Sequence, residues 1–366
     1  MSMTDLHASL IGWGHYVPDR VVTNAELSDL VDTSDEWIQS RSGIRERHFA
    51  DADQATSDLC VEAATRAIAR AGIDPAEIDL VLVATSSPDY LTPPVSSQVQ
   101  HRVGASRAGA MTLMVGCTGF VYGLVTAEQF IRTGAYRTVL LVGAEVISKN
   151  LDMTDRNTCV LFGDGAGAVV LQASAEPCGV LGFELGSDGS AFEAIIAPCP
   201  GTRIPVSQEA IDERLHYIRM DGRAVFKFAT RTMAESVRRV LGEAGLGIAD
   251  VDLLIPHQAN ARIIEYAADQ LGVPAEKVVM NVERFGNTSA ASIPIALSEA
   301  LDAGRAKAGD TLALVGFGAG LTWAACAFAL GSLRAETARD AAPAHRSAGD
   351  GSSASKASAI VEGLIA

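Results

Sequence analysis

The chain has 366 residues, of which 48% are hydrophobic and 20% charged, enough for one large α/β unit or two fused domains. Its formal charge of −15, with no basic stripe to offset it, argues against nucleic acid as a partner. No apolar run reaches the length of about 18 residues that spans a membrane, and the chain shows no secretory signal pattern, so we expect a cytoplasmic protein that binds no membrane. Six cysteines without a CxxC pair or zinc-like spacing predict reduced thiols and no metal site.

The first strongly patterned element is a helix over Ser57–Ala71, with Thr56 or Ser57 as its cap and Gly72 as its end. A turn and a buried strand follow, and the same unit returns later, because residues 239–258 echo residues 66–85. A second echo links GAYRTVLLVGAE with AGDTLALVGFGA, and a further apolar segment follows each of them. These echoes predict an α/β fold of two duplicated halves with a mixed, mostly buried sheet. The alternative is chance similarity between two helix–turn–strand units.

The predicted halves are residues 1–175 and 176–334. From about Ala335 the chain changes character and becomes rich in Ala, Ser, Gly and Asp. Such a composition buries little apolar surface, so we expect a mobile tail over residues 335–366.

Cys117 is the candidate nucleophile of the first half. A strand-like run over Met111–Val115 ends at Gly116, and a helical pattern follows it. A position near a helix N-terminus is expected to lower the pKa of the thiol and to favour the thiolate. Gly116 and Gly119 leave room for a substrate at the sulfur. On position alone, a buried structural cysteine is an equally good interpretation.

Two polar segments of the second half are candidates for the same site. His257 and Gln258 close a buried apolar strand, where α/β folds place their ligands. Asn287 lies in a tight polar turn, residues 286–289, which is suited to point one amide into a cavity. Taken alone, such a histidine is more often a hydrogen-bonded core residue, and such a turn is more often a helix cap.

Two glycine-rich strings, residues 162–167 and 315–323, invite a dinucleotide-binding interpretation. A strand-like segment rather than a phosphate-binding helix follows each string, and no acid lies about 20 residues after the second one. We therefore expect these glycines to let the backbone approach a reactive carbonyl.

Five motifs in order, TSDEWIQSRSGIRER, GCTGF, DRNTCVLFGDGAGAVVL, PHQANARI and GNTSAAS, resemble the β-ketoacyl-acyl carrier protein synthase III family, and the likeness runs from Leu10 to Leu330. The resemblance implies a thiolase-like fold, in which two βαβαβαββ halves stack as α-β-α-β-α layers. It also implies a homodimer and a decarboxylating Claisen condensation. In that reaction an acyl-CoA primer and a malonyl-acyl carrier protein give a β-ketoacyl thioester, which starts a fatty-acid chain.

The family's catalytic set maps onto Cys117, His257 and Asn287. By this resemblance Cys117 carries the acyl group, while His257 and Asn287 stabilise the enolate that malonyl decarboxylation leaves. The backbone N–H groups of Cys117 and Ala319 correspond to the oxyanion hole. CoA thioesters are substrates in this chemistry, and the resemblance implies no metal or other cofactor.

The family's contacts with CoA, carrier and acyl chain transfer in the same way. Trp37 and Arg156 match the pair that sandwiches the adenine ring, a role suited to an indole and a guanidinium. The acyl-pocket positions are Phe162 and Thr92, and Thr92 is expected to reach the pocket of the partner subunit. The further CoA or carrier positions are Arg41, Arg223, Phe226, Asn260 and Arg262.

Several residues depart from the family pattern. Thr92 stands where the best-known member has a capping Phe, which predicts room for a primer longer than acetyl. Arg223 replaces an Asn near the pantetheine, and Asn157 replaces a Gly beside the adenine arginine. Asp269 and Gln270 stand where basic residues help to dock an acidic carrier protein.

Three alternatives stay open at this point. A condensing enzyme or acyltransferase of a specialised pathway would use CoA thioesters on the same fold. A non-catalytic partner in a heterodimer is disfavoured by the intact set of Cys117, His257 and Asn287. A thiol hydrolase is disfavoured because GCTG lacks the leading glycine of a G-x-C-x-G elbow.

Overall fold

The structure is a computed structural model that describes residues 6–333. The predicted tail over residues 335–366 therefore lies outside the described residues. Among the helices of the described chain, none combines the length and the apolar composition that crossing a membrane requires.

Strands and helices alternate along the described chain. The strands are β1 His7–Tyr16, β2 Arg20–Thr23, β3 Glu46–Phe49, β4 Leu80–Ala84, β5 Gly109–Leu113, β6 Thr138–Glu145, β7 Gly165–Ser174, β8 Gly179–Ser187, β9 Ile195–Ile196, β10 Arg219–Met220, β11 Leu253–Pro256, β12 Thr311–Gly318 and β13 Thr322–Ala329. The α-helices are α1 Asn24–Ser28, α2 Asp35–Ser42, α3 Thr56–Ala71, α4 Val95–Arg102, α5 Gly119–Arg132, α6 Gln208–Asp212, α7 Gly222–Glu243, α8 Ala261–Leu271, α9 Val282–Phe285 and α10 Ser292–Asp302.

Two large sheets share one topology, which confirms the predicted duplication. The first sheet has the order β1-β7-β6-β4-β5, and the second has the matching order β8-β13-β12-β11. In each sheet the first three strands are antiparallel neighbours and the next pair is parallel. A parallel bridge between Leu254 and Val278 occupies the place that β5 holds in the first sheet.

The two echoes found in the sequence are equivalent elements of this duplication. α3 and β4 correspond to α7 and β11, and a short 3₁₀ turn joins helix to strand in both cases. β6 and β12, which form the second echo, both have eight residues and lead to β7 and β13. Helix α3 begins at Thr56, with Ala55 as its cap, because the Asp58 carboxylate accepts the Ala55 amide at 2.7 Å. Gly72, with φ 62°, ends it as predicted.

The elements stack as five layers. Helix α3 covers the outer face of the first sheet, and α7 covers the outer face of the second. Helices α5 and α10 lie between the sheets, where one apolar cluster joins residues of both halves. Chain segments that follow strands of both sheets meet at one end of this central layer, and there the predicted site residues come together.

Candidate active site

Cys117 lies in the 3₁₀ turn Gly116–Thr118 between β5 and α5, as the sequence predicts. Gly116 has φ 57°, a left-handed conformation that glycine adopts without strain. The Thr118 hydroxyl lies 3.0 Å from the Thr322 hydroxyl at the start of β13, which ties the turn to the second sheet.

The backbone at the end of β12 approaches this turn very closely. A Cβ atom on Gly318 would lie 2.7 Å from the Cys117 nitrogen, and one on Gly116 would lie 3.1 Å from the Ala319 nitrogen. Such short separations require glycine at both positions. The amides of Cys117 and Ala319 therefore flank the sulfur from two different strand ends.

The expected low pKa of Cys117 is wrong for this structure. Burial raises the pKa of the thiol to about 12, and a hydrogen bond with the Ser289 side chain opposes this only in part. The helix proper begins two residues later, at Gly119, and desolvation outweighs the field of the helix N-terminus. The resting nucleophile is thus a neutral thiol, and a group that accepts its proton becomes part of the chemistry.

His257 follows β11 directly and is 1% exposed. Its amide donates to the Val315 carbonyl at 2.8 Å, and its Nδ1 lies 2.6 Å from the Ser292 hydroxyl. The buried Nε2 has no hydrogen-bond partner among residues 6–333. Burial lowers the pKa of His257 to about 3, so the imidazole is neutral at pH 7.

The contact with Ser292 is compatible with the tautomer of this imidazole that carries its proton on Nε2. The Ser292 oxygen lies 3.3 Å from the Gln258 amide, which donates to it, so the serine hydrogen is free to point at Nδ1 of His257. In that arrangement Nδ1 accepts and Nε2 carries the proton. A neutral histidine with a free N–H is a hydrogen-bond donor for an anionic oxygen.

Asn287 is held by its backbone as well as by its side chain. Its amide donates to the Leu161 carbonyl at 2.8 Å, and its carbonyl accepts the Gly163 amide at 3.0 Å. The side-chain Oδ1 accepts the Ser289 amide at 2.9 Å. With Oδ1 engaged, the Nδ2 group is the end left for a ligand.

A single cavity of about 240 Å³ brings these groups together. Cys117, His257, Asn287 and Ala319 all line it, as does Ser289. The remaining wall is largely apolar and includes Phe162, Ile195, Ile196, Met220, Phe226 and Phe317. The arrangement offers one thiol and several uncharged donors in a space that excludes much of the water.

A second cavity contains most of the predicted CoA positions. Trp37, Arg41, Arg156 and Arg223 line it, and Asn260 lines both cavities, so the two spaces adjoin. The Arg156 guanidinium lies over the Trp37 ring, 5.2 Å from its centroid. A purine between these two side chains therefore requires one of them to move. The second cavity is the more basic of the two.

Two of the residues predicted to bind CoA or the acyl chain do not line the cavity that contains the Cys117 sulfur. Arg262 stacks over the Phe226 ring at 5.7 Å, which places it beside the cavity wall rather than in it. Thr92 is exposed in the loop before α4 and lies outside the cavity of its own chain. Its predicted contact is with a partner subunit.

The sequence did not reveal the residues whose side chains position the predicted site residues. Ser292 orients His257, and Ser289 joins Asn287, Cys117 and Glu145. One signal was present in the sequence, since GAYRTVLLVGAE ends a mostly apolar strand with an acid. The apolar wall from residues 195–220 gave no such signal, because its residues reach the cavity only through the fold.

The chain is similar to known proteins over most of its length. Residues 111–189 and 241–330 match the family models of 3-oxoacyl-[acyl-carrier-protein] synthase III and of its C-terminal part. A β-ketoacyl-[acyl-carrier-protein] synthase III of Desulfitobacterium hafniense (strain Y51) is 51% identical over 316 residues, which are 86% of this chain and 96% of that protein.

Solved structures show the same likeness. The 3-oxoacyl-[acyl-carrier-protein] synthase III of Aquifex aeolicus VF5 matches with a TM-score of 0.82 at 42% identity, over 88% of this chain and 99% of that chain. The priming β-ketosynthase of the R1128 polyketide biosynthetic pathway matches with a TM-score of 0.82 at 36% identity, over 90% of this chain and 97% of that chain. The chain therefore belongs to the β-ketoacyl-acyl carrier protein synthase III family, the acyl-transferring, thiolase-like condensing enzymes that start fatty-acid chains by joining an acyl-CoA primer to malonyl-acyl carrier protein.

Proposed function

We propose that this chain forms an acyl-enzyme on Cys117 from an acyl-CoA primer and then condenses that acyl group with malonyl-acyl carrier protein, releasing carbon dioxide. The observation that carries the proposal is the shared cavity. One thiol, the Ala319 amide and the uncharged donors of His257 and Asn287 meet there.

In the first half-reaction the Cys117 sulfur attacks the thioester carbonyl of the primer. Negative charge then develops on the carbonyl oxygen, and the backbone N–H groups of Cys117 and Ala319 stabilise it. The close approach of Gly318 to Cys117 supports this role, because it fixes both amides beside the sulfur. CoA leaves, and the acyl group stays on the enzyme.

In the second half-reaction the malonyl thioester loses carbon dioxide and leaves an enolate. His257 Nε2 and Asn287 Nδ2 donate hydrogen bonds to the enolate oxygen. The lowered pKa of His257 supports this assignment, since a neutral imidazole donates without adding a buried charge. The enolate carbon then attacks the acyl group on Cys117, and the β-ketoacyl thioester forms.

Both thioesters reach the sulfur through the second cavity. Trp37 and Arg156 take the adenine end of CoA, while Arg41 and Arg223 offer positive charge along the entrance. The local arginines matter because the whole chain carries a formal charge of −15. CoA thioesters are substrates here, and the proposed chemistry calls for no further cofactor.

The proposed assembly is a homodimer built on the edge of the first sheet. β5 is the last strand of that sheet, so its outer backbone edge has no neighbouring strand within residues 6–333. The large apolar side chains of Tyr90, Leu91 and Met114 near this edge are 62%, 76% and 64% exposed. Pairing two copies here covers them and brings Thr92 towards the partner's cavity.

A second candidate is priming in a specialised pathway with CoA thioesters as both substrates. The likeness to a priming β-ketosynthase of a polyketide pathway favours it. Carbon dioxide release measured with malonyl-acyl carrier protein and with malonyl-CoA separates the two functions. Release that needs the carrier supports fatty-acid initiation, and equal rates with malonyl-CoA support the specialised pathway. A scan of acyl-CoA primers of increasing length then defines the primer.

A further inference from the structure

Glu145 is a fully buried acid that the mechanism above leaves without a role. It ends strand β6 and is 0% exposed. Its Oε2 accepts the Ser87 hydroxyl at 2.6 Å and the Thr85 hydroxyl at 3.2 Å, and the Ser86 amide reaches both oxygens at 3.1 Å. These donors lie on the segment that follows the parallel neighbour β4.

Ser289 connects this acid to the nucleophile. Its hydroxyl donates to Glu145 Oε1 at 3.0 Å, and Ser289 lines the same cavity as Cys117. Ser289 has φ 48°, which a residue with a side chain rarely adopts, and the Asn287 Oδ1 atom holds its amide there. Ser289 thus lies between the cavity that contains Cys117 and the buried carboxylate of Glu145.

Acylation of a neutral thiol requires a proton acceptor nearby. Burial raises the pKa of Glu145 to about 7, although four hydrogen-bond donors oppose the rise. Burial lowers the pKa of His257 to about 3, so the imidazole holds a proton far less readily than the carboxylate does. Near neutral pH, Glu145 is therefore the better acceptor of the two.

The other titratable groups around Glu145 do not compete with it. Cys60 of helix α3 faces it, and burial raises the pKa of that thiol well above its ordinary value. Beyond Cys60 lie Asp89, Asp58 and Arg102, and the last two form a salt bridge at 2.8 Å. The groups from β4 and from the Ser289 turn are hydroxyls and an amide.

We propose that Glu145 stores the proton of Cys117, passed through the Ser289 hydroxyl, for as long as Cys117 carries an acyl group. This proposal rests on the proposed function, since it requires an acyl-cysteine. Glu145 acts through Ser289 and touches no substrate, so it is a positioning residue rather than a catalytic one.

Each proton transferred in the first half-reaction is accounted for by the end of the second. When the sulfur attacks the primer, the S–H proton passes to the Ser289 oxygen and the Ser289 proton passes to Glu145. CoA leaves as a thiolate, which takes a proton from water. When the enolate attacks the acyl group, the C–S bond breaks and Cys117 leaves as a thiolate. Glu145 then returns its proton through Ser289, and the net reaction consumes one proton from water.

The test measures the rate of CoA release in a single turnover with acyl-CoA alone, between about pH 5.5 and 9.5. In the wild-type protein we expect the rate to rise about tenfold per pH unit and to level off near pH 7, where Glu145 is ionised. In Glu145→Gln and in Ser289→Ala we expect a loss of about 10²–10⁴-fold at pH 7 and a rise that continues without a plateau. The double variant should be no slower than either single variant.

A matched control is Glu128→Gln, because Glu128 is also a 0% exposed acid with a raised pKa, but its carboxylate accepts the Val180 amide rather than the Ser289 hydroxyl. It should keep the plateau near pH 7. A plateau that persists in both Glu145→Gln and Ser289→Ala overturns the proposal, as does a loss that is equal at every pH. Absence of any acyl adduct on Cys117 in the wild-type protein would instead overturn the proposed function. Ser289→Ala keeps Glu145 and its other partners, so it remains informative if Glu145→Gln fails to fold.

Discussion

The 3₁₀ turn Gly116–Thr118 of the first half and the turn Ser289–Ala291 of the second are equivalent positions of the duplication. Each leads directly into a helix of the central layer, and each begins with a positive φ, 57° at Gly116 and 48° at Ser289. The first turn carries Cys117, while the second has Ala290 in its place. Duplication thus supplied two identical backbone corners, and only one of them holds a nucleophile.

The ends of equivalent strands differ in the same way. β6 ends at Glu145, whereas β12 ends at Gly318 and lets the backbone approach Cys117. The last residue of β4 is Ala84, whereas His257 follows the shorter β11. Burial raises the pKa of Glu145 to about 7 and lowers that of His257 to about 3. The first half therefore carries the thiol and the buried acid, and the second half carries the neutral imidazole and the Ser289 hydroxyl.

The largest expected effect is loss of the nucleophile. Cys117→Ser should lower turnover by roughly 10⁴-fold or more, as removal of a covalent nucleophile does in other enzymes. Mass spectrometry after incubation with acyl-CoA should find one acyl group on the Cys117 peptide of the wild-type protein and none in the variant. Cys159→Ala serves as a control, since Cys159 is buried in the core and should not affect labelling. Full labelling of another cysteine in Cys117→Ser would refute the assignment.

A smaller effect concerns the dependence of kcat/KM on primer length. It follows from the different courses of the loops after β4 and β11. The loop after β11 enters the CoA cavity at Asn260, whereas the loop after β4 carries Thr92 to the surface. Each primer methylene buried in a partner's cavity is worth about 0.8 kcal/mol, or roughly fourfold in binding. Primers a few carbons longer than acetyl should therefore gain in kcat/KM.

The variant Thr92→Phe should remove that gain and spare acetyl-CoA. The measurement is kcat/KM over a series of acyl-CoA primers, with wild-type protein alongside. If the wild-type protein strongly prefers acetyl and the variant shows the same profile, Thr92 is only a turn residue beside Pro93, and Tyr90 or Leu91 closes the tunnel.

A further effect is on the free energy of unfolding, where Glu145 and His257 should contribute pH dependences of opposite sign. Burial lowers the pKa of His257 from 6.5 to about 3, so its contribution is complete above about pH 6.5 and is lost below it. Burial raises the pKa of Glu145 from 4.5 to about 7, so its contribution is complete below about pH 4.5 and is lost as the pH rises to 7. Each slope is about 1.4 kcal/mol per pH unit, and the two oppose each other between these limits.

Single variants should reveal the two slopes. With falling pH, the free energy of unfolding should drop more steeply in Glu145→Gln than in the wild-type protein, and less steeply in His257→Ala. Urea unfolding at about pH 4.5, 5.5 and 6.5 measures both changes. Changes of the same sign in the two variants would contradict the burial of one of these groups.

The sequence was sufficient to predict the fold and to single out Cys117, His257 and Asn287, which line one cavity, because both leave local patterns. Helix α3 with Gly72, the two strand echoes and the motif around Cys117 are contiguous in the chain. The wrong prediction for the pKa of Cys117 shows what the sequence could not provide. The position of Cys117 near a helix N-terminus is visible in the sequence, whereas its desolvation by burial is not. Ser292 and Ser289 were missed for a related reason, because their roles depend on contacts between residues that are far apart in the chain.

The central claim is that His257 and Asn287 serve the second half-reaction and not the first, and one experiment tests it directly. His257→Ala and Asn287→Ala are each given acyl-CoA and then malonyl-acyl carrier protein, with the acyl adduct and carbon dioxide measured in the same sample. We expect a full acyl adduct on Cys117 and a loss of about 10²–10³-fold in carbon dioxide release, since the enolate charge develops only in the second half-reaction. Carbon dioxide release at the wild-type rate in either variant, or loss of the acyl adduct in both, would contradict the account.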